Sequence, residues 1–179
     1  MTGNGKIFLE SERLWFRQHV PDDRAAYIAM EQDPEVRRYV GGYPRTREAA
    51  EQKFTGALEP SNTRLSMWAT ILKEEHKYIG RCGIYPHFDQ NGVPVPGEAS
   101  LGLYIAKDYW GRGLATEAGR AFINFGFDAL KLNRIATMVQ VGNDASVRVL
   151  EKLGFDLVAT EKGEHRSFYH FVLLNTGMR

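Results

Sequence analysis

From Glu98 onward the chain alternates: Ala99, Leu101, Leu103 and Ile105 are apolar, and Ser100, Gly102 and Tyr104 fall between them. Side chains on a strand point to opposite faces in turn, so residues 98–106 are predicted to form a strand with one face in the core. Residues 64–72 and 78–85 are two more β runs, and the charged turn Lys73-Glu-Glu-His76 between them predicts a hairpin. Residues 12–18, 134–141 and 168–174 complete the predicted strands; the first mixes apolar and charged residues and reads as partly exposed.

Helical signals occupy the stretches between. Pro21-Asp22-Asp23 offers a start, with Ala25, Ala26, Ile28, Ala29 and Met30 as the apolar body. Asp33-Pro34 is a second start, and Thr46 caps a helix over 47–58 that Pro60 ends. A longer helix over 115–130 places Ala115, Ala118, Phe122, Ile123 and Gly126 on one side. Asn143 caps a short helix reaching residue 153, and Gly154 is placed to end it in a left-handed cap. The Pro- and Gly-rich segment 90–97 is predicted as a surface loop. This order of elements defines a mixed α/β sheet with antiparallel pairs early, in a single domain over residues 1–179 with its core at about 10–174.

Composition narrows the function class. The 179 residues suffice for one domain, and 43% hydrophobic with 25% charged content is that of a soluble globular protein. Lys plus Arg number 23 against 22 Asp plus Glu, a net charge of +1 without a basic stripe, which argues against nucleic acid as an obligatory partner. No apolar run approaches the ~18 residues of a membrane span. The first residues lack a signal-peptide core, so the cytoplasm is the expected address, as monomer or homodimer. Cys82 is the single cysteine; Ile79, Gly80, Gly83 and Ile84 around it read as a buried strand, hence a packed structural residue rather than a catalytic thiol. The histidines 19, 76, 87, 165 and 170 show no metal-ligand spacing, and no metal is expected.

The chemistry concentrates in Tyr109-Trp-Gly-Arg-Gly-Leu-Ala-Thr-Glu-Ala118, between a strong strand and a strong helix. Gly111 and Gly113 permit tight turns and carry no side chain to block a ligand. The free amides opening the helix converge where its dipole favours negative charge, and Arg112 adds a cation: a pyrophosphate cradle. Leu114 stands where a Walker A loop needs Lys, and Thr116-Glu117 with no acid about twenty residues on departs from a dinucleotide fingerprint. On its own the Gly-x-Gly pattern is equally a tight turn that binds nothing. About thirty residues beyond it, Asn143-x-x-Ser146 opens a second helix that runs into Glu151-Lys-Leu-Gly-Phe155.

With these two motifs in this order, the chain resembles the GCN5-related N-acetyltransferases, and within them the RimJ/RimL-like branch. The likeness runs from about Glu10 to Leu174 and includes Ser11-Glu-Arg-Leu-Trp-Phe-Arg17 and Asp33-Pro-Glu-Val36. It implies the acyl-CoA N-acyltransferase fold: a mostly antiparallel sheet in which two neighbouring parallel strands, here 101–106 and 134–141, splay apart between flanking helices. It further implies acetyl-CoA as co-substrate. The pantetheine arm would pair with main chain at Leu103, Tyr104 and Ile105 like an added strand. The pyrophosphate would rest on Gly111, Arg112, Gly113, Leu114, Ala115 and Thr116, with Asn143 and Ser146 near the thioester.

The implied reaction is direct attack of a neutral amine, on a protein N-terminus or a small molecule, on the thioester carbonyl. Many relatives carry a tyrosine acid where this chain has Leu150, which leaves Ser146 as the candidate acid; Glu98 is the candidate base, although a solvated strand-end carboxylate is the plainer reading. The early helices and the loop of residues 86–97 would form the acceptor site, with Tyr39, Tyr43, Tyr85 and Phe88 available to line it and Trp68 read as core. A non-catalytic CoA-binding sensor carries the same carrier motifs, and a nucleotide-binding regulator is a third possibility.

Overall fold

The computed structural model describes residues 5–59 and 63–177; Met1–Asn4 and Pro60, named above as a helix stop, lie outside the described residues. The alternating segments form eight strands: β1 (Ile7–Glu10), β2 (Leu14–Arg17), β3 (Ser66–Leu72), β4 (Lys77–Phe88), β5 (Pro94–Ile105), β6 (Arg134–Gln140), β7 (Asp156–Lys162) and β8 (Ser167–Leu174). The helices are α1 (Arg24–Gln32), α2 (Pro34–Arg37), α3 (Arg47–Leu58), α4 (Leu114–Asn124) and α5 (Asp144–Lys152). One sheet holds the strands in the order β1-β2-β3-β4-β5-β6-β8-β7, and every neighbouring pair is antiparallel except β5 and β6.

Local chemistry sets the helix ends. Asp33 Oδ1 accepts from the amides of Glu35 (2.8 Å) and Val36 (3.3 Å), and Thr46 Oγ1 accepts from that of Ala49 (3.2 Å). Gly154 ends α5 at φ 84°, the left-handed conformation expected of it. The helix foreseen over 115–130 is α-helical only to Asn124; Phe125–Ala129 forms a π turn that seats Gly126 against Ile84 and Ile135.

Three strand assignments are corrected. Of the segment 90–97 only residues 90–93 are loop, because β5 begins at Pro94 and the hairpin turn is Asp89–Val93, closed by Asp89 Oδ1 on the amides of Asn91 and Val93. Prolines are tolerated there because β6 pairs with β5 only from Glu98 onward, so that edge needs no donors. β1 and β7 went unforeseen. Both lie at the sheet edges, and all seven residues of β7 are exposed, so neither carries the half-buried alternation that marks a strand.

The two sheet faces bury different sets. Leu14, Phe16, Ile84, Leu101 and Ile105 pack with Leu114, Ala118 and Phe122 of α4 and Leu150 of α5. Ala69, Ile71 and Tyr78 pack with Tyr27 and Met30 of α1 and Phe54 of α3. Cys82 is fully buried, and burial pushes its thiol up to about 11, so it is a packing residue. Trp68 is core as well, stacked on Phe8 with centroids 4.0 Å apart.

The parallel pair positions the site. β5 and β6 are in register only over Glu98–Arg134, Ala99–Ile135 and Ser100–Ala136. The Thr137 hydroxyl donates to the Leu101 carbonyl at 3.1 Å. Beyond that point β5 keeps its bonds to β4 as far as Ile105, and β6 keeps its bonds to β8 as far as Gln140. Each strand is held by its outer neighbour, and a wedge opens between them.

Candidate active site

The wedge forms a cavity of about 370 Å³. Leu103, Tyr104 and Ile105 supply the β5 wall, Asn143 and Ser146 the start of α5, and Gly111, Gly113, Leu114, Ala115 and Thr116 the turn entering α4. Gly111 and Gly113 sit at φ 73° and 77°, which L side chains enter only with strain. A Cβ on Gly111 would meet nothing within 4 Å, and one on Gly113 only Arg13 Nη2 at 3.7 Å, so both turns face open space. The Glu117 amide is the first in α4 to bond back, to the Gly113 carbonyl at 3.0 Å. The amides of Leu114, Ala115 and Thr116 therefore have no acceptor within the helix. An anion fits such a place.

The turn is braced from the N-terminal segment. Glu117 Oε1 accepts from the Ser11 hydroxyl and the Arg13 amide, each at 2.7 Å, and Arg13 Nε reaches Oε2 at 2.7 Å. Arg13 Nη1 also donates to the Arg112 carbonyl at 3.1 Å. Burial raises the Glu117 carboxyl, but these donors outweigh it and hold the group below its ordinary range. Two sequence marks about a hundred residues apart, Ser11-Glu-Arg13 and the glycine turn, are thus one contact. Trp110 adds a lock: its indole N–H donates to the Ile105 carbonyl at 2.7 Å and occupies an acceptor at the end of β5.

A second cavity of about 460 Å³ lies between α1, α3 and the middle strands, and Val40 and Tyr104 line both. Its floor is charged. Glu31 is 2% exposed and meets Arg45 Nε at 2.7 Å, Arg37 Nη1 at 3.4 Å and Arg81 Nη2. Burial would push the Glu31 carboxyl up; the three guanidiniums prevail and hold it below its ordinary range. The Arg81 guanidinium lies against the rings of Tyr27 (4.7 Å) and Tyr104 (4.8 Å). Its Nη1 and the Nε2 of His19 are buried with no partner among the described residues.

Burial depresses the His19 imidazole to about 4, with Arg81 and Arg17 adding to the effect against Asp23. Above pH 6.5 the ring is neutral in both folded and unfolded chains and its contribution is complete. As pH falls through 6.5 the unfolded chain takes up the proton first, so stability declines until about pH 4, where the folded state takes it too. The loss across that window is expected to be about 3 kcal/mol. Urea midpoints from pH 8 to pH 4 check it, and His19→Gln is expected to flatten the slope.

The structure brings together every wedge residue expected from the sequence except two. Arg112 turns away: its Nη1 lies 3.7 Å from Glu75 and its guanidinium 5.3 Å from the Tyr109 ring. Glu98 lines neither cavity and is bound by Arg134 through Nη2 (2.5 Å) and Nε (2.8 Å). Leu150 is core. Of the acceptor aromatics, Tyr85 lines the larger cavity and Tyr39 the wedge, whereas Tyr43 (70%) and Phe88 (49%) are exposed; residues 86–97 line neither. The sequence reading missed Arg148 and Lys152, the cations of α5 that line the wedge, and the Glu31 cluster. The available signal for the cluster was a charge at core positions: Glu31 one turn after Tyr27, and Arg81 inside an apolar strand.

A sheet split at one parallel pair, with a glycine turn and a capped helix at the split, defines an acetyltransferase class: the chain belongs to the acetyltransferase (GNAT) domain family, whose sequence pattern matches residues 13–156. It is an acetyl-CoA-dependent acetyltransferase. It is 33% identical over 152 residues to "Uncharacterized N-acetyltransferase p20" of Bacillus licheniformis, covering 82% of this chain and 81% of that one. An acetyltransferase (GNAT family) structure from Bacillus anthracis is similar with a TM-score of 0.79 and 24% identity, over 94% of this chain and 98% of that one. Spermidine N-acetyltransferase from Vibrio cholerae, solved with CoA and spermine, is similar in fold, with a TM-score of 0.71 and 16% identity over 90% and 95% of the two chains.

Proposed function

We propose that the protein is an N-acetyltransferase of the RimJ/RimL-like branch, moving the acetyl group of acetyl-CoA to a primary amine by direct attack in a ternary complex in the cytoplasm. The observation that carries this reading is that the wedge and the charged cavity meet at Val40 and Tyr104. A carrier in one and an amine in the other would face each other there, and holding both supplies most of the rate.

Each wedge group has a task in this reading. The amides of Leu114, Ala115 and Thr116 take the pyrophosphate, with Arg148 and Lys152 as cations on the facing helix. Free main chain of β5 pairs with the pantetheine arm. Asn143 uses Oδ1 to cap α5, accepting from the Ser146 amide at 3.2 Å, which leaves its Nδ2 to donate to the arm. The amine nitrogen bonds to the thioester carbonyl carbon, a β5 amide steadies the oxyanion, and the C–S bond breaks. The departing thiolate takes a proton from the Ser146 side of the wedge. With Glu98 engaged by Arg134, the proton of the attacking amine passes to water. An α-amine, with a pKa near 8, needs little further help.

Free CoA thiol is a clean readout, since Cys82 is buried. Initial rates with acetyl-CoA and a panel of peptides and small amines are expected to give intersecting double-reciprocal lines. Parallel lines, the sign of an acetyl-enzyme, or acetyl-CoA binding with no acetylated amine, would overturn the mechanism.

A further inference from the structure

The charged cavity has a sign. Four cations line it, Arg37, Arg45, Lys53 and Arg81, against two carboxylates, Glu31 and Glu59. The Glu31 cluster alone sets three guanidiniums on a single carboxylate. His19 adds no negative charge, and burial keeps it neutral at pH 7. Neighbouring Asp23 does not redress the balance, because Arg17 binds both of its oxygens, at 2.7 and 2.8 Å. The excess is two positive charges by either count.

The geometry is as specific as the charge. Tyr27 and Tyr104 each place a ring against the Arg81 guanidinium, with centroids 4.7 and 4.8 Å from its central carbon. One edge nitrogen, Nη2, serves Glu31, and the other, Nη1, has no partner among the described residues. Nη1 is closed off from solvent and lies near the Tyr78 hydroxyl, so a planar carboxylate entering the cavity pairs with it once Arg81 and Tyr78 shift. Arg45, whose side chain is 31% exposed, is bound to the same Glu31 at 2.7 Å. Tyr104 is also a wall of the wedge, so a carboxylate seated at Arg81 would hold its own molecule beside the thioester.

We propose that the acceptor is an amine that also carries a carboxylate, and that Arg81 and Arg45 are the residues selecting it. The inference rests on the acetyltransferase reading above and names the substrate class for it. Polyamines, which bring several positive charges into a cavity already in excess by two, are disfavoured.

The test pairs acceptors that differ only in that charge. A panel of α-amino acids and dipeptides, each matched with its own carboxamide, is assayed with acetyl-CoA beside spermidine. Converting carboxylate to carboxamide lowers the pKa of the amine, so intrinsic reactivity favours the carboxamide and any opposite preference comes from the cavity. The best carboxylate acceptor is expected to exceed its carboxamide by about tenfold or more in kcat/KM, and to exceed spermidine. Arg45→Gln is expected to narrow that ratio to about threefold or less while acetyl-CoA affinity by calorimetry stays at its wild-type value. Arg81→Lys, which keeps the charge but loses the planar edge, is expected to narrow it too. Should either variant not fold, the wild-type pairs decide alone. Carboxamides or spermidine performing as well as carboxylates would overturn the inference and leave the enzymatic reading standing. So would acetylation of carboxamides or spermidine with no carboxylate acceptor acetylated, while acetyl-CoA binding with no amine acetylated, or no acetyl-CoA binding, would remove the reading beneath it.

Discussion

Gly113→Glu is expected to weaken CoA binding by about a hundredfold or more, which is roughly 2.7 kcal/mol. Gly113 is the residue before the first turn of α4, at φ 77°. A side chain there costs about 1–2 kcal/mol of backbone strain. Little else in the protein objects, since Arg13 Nη2, at 3.7 Å, is the one atom near the Cβ position. The fold is therefore expected to survive. The ligand meets a carboxylate at the mouth of the amides that would receive its phosphates, and two negative charges about 4 Å apart repel by about 1 kcal/mol in water and about 4 kcal/mol at protein-like screening. Gly113→Ala carries the strain without the charge and is expected to lose about tenfold or less. Calorimetry with CoA separates the three proteins. Wild-type affinity in Gly113→Glu would remove the phosphate assignment from this turn.

The strength of that prediction traces back to how much of the wedge is legible in the chain. Gly111, Gly113, Asn143 and the period-two run ending at Ile105 announce themselves because each is fixed by local physics: a left-handed turn, a helix cap, an alternating strand. Their meeting follows from one split in the sheet, which the family motifs carried and the alternation did not. What local physics does not encode stayed hidden. The side chain of Arg112 is drawn to Glu75, a residue 37 positions earlier, so its neighbour in sequence says nothing of its direction. Glu98 reads as a free acid until Arg134 of the next strand arrives beside it. The cluster on Glu31 draws its arginines from α2, the segment before α3, and β4, and only the folded sheet brings them within reach of one carboxylate.

That cluster predicts the largest loss of stability. Glu31→Ala is expected to destabilise the protein by about 3–5 kcal/mol, because removing one member of a buried ion group strands the others. Arg37, the last residue of α2, is 4% exposed and its Nε is turned to the Tyr43 carbonyl at 3.4 Å, and Arg81 has the rings of Tyr27 and Tyr104 against it. For a chain of this size the loss lowers the melting temperature by roughly 10 °C or more. Glu31→Gln keeps the shape and one acceptor oxygen but not the charge, and is expected to fall between wild type and alanine. Acid distinguishes lost charge from lost packing. The folded Glu31 carboxyl titrates below its ordinary value of 4.5, so its stabilisation is complete above pH 4.5 and disappears as pH drops through the lowered value. The stability gap between wild type and Glu31→Gln should then be widest above pH 4.5 and close in stronger acid, a window below the one in which His19 acts. A gap that stays constant from pH 7 to pH 3 would mean that Glu31 holds the arginines by packing alone, and the cavity would owe its sign to something other than three guanidiniums sharing one charge.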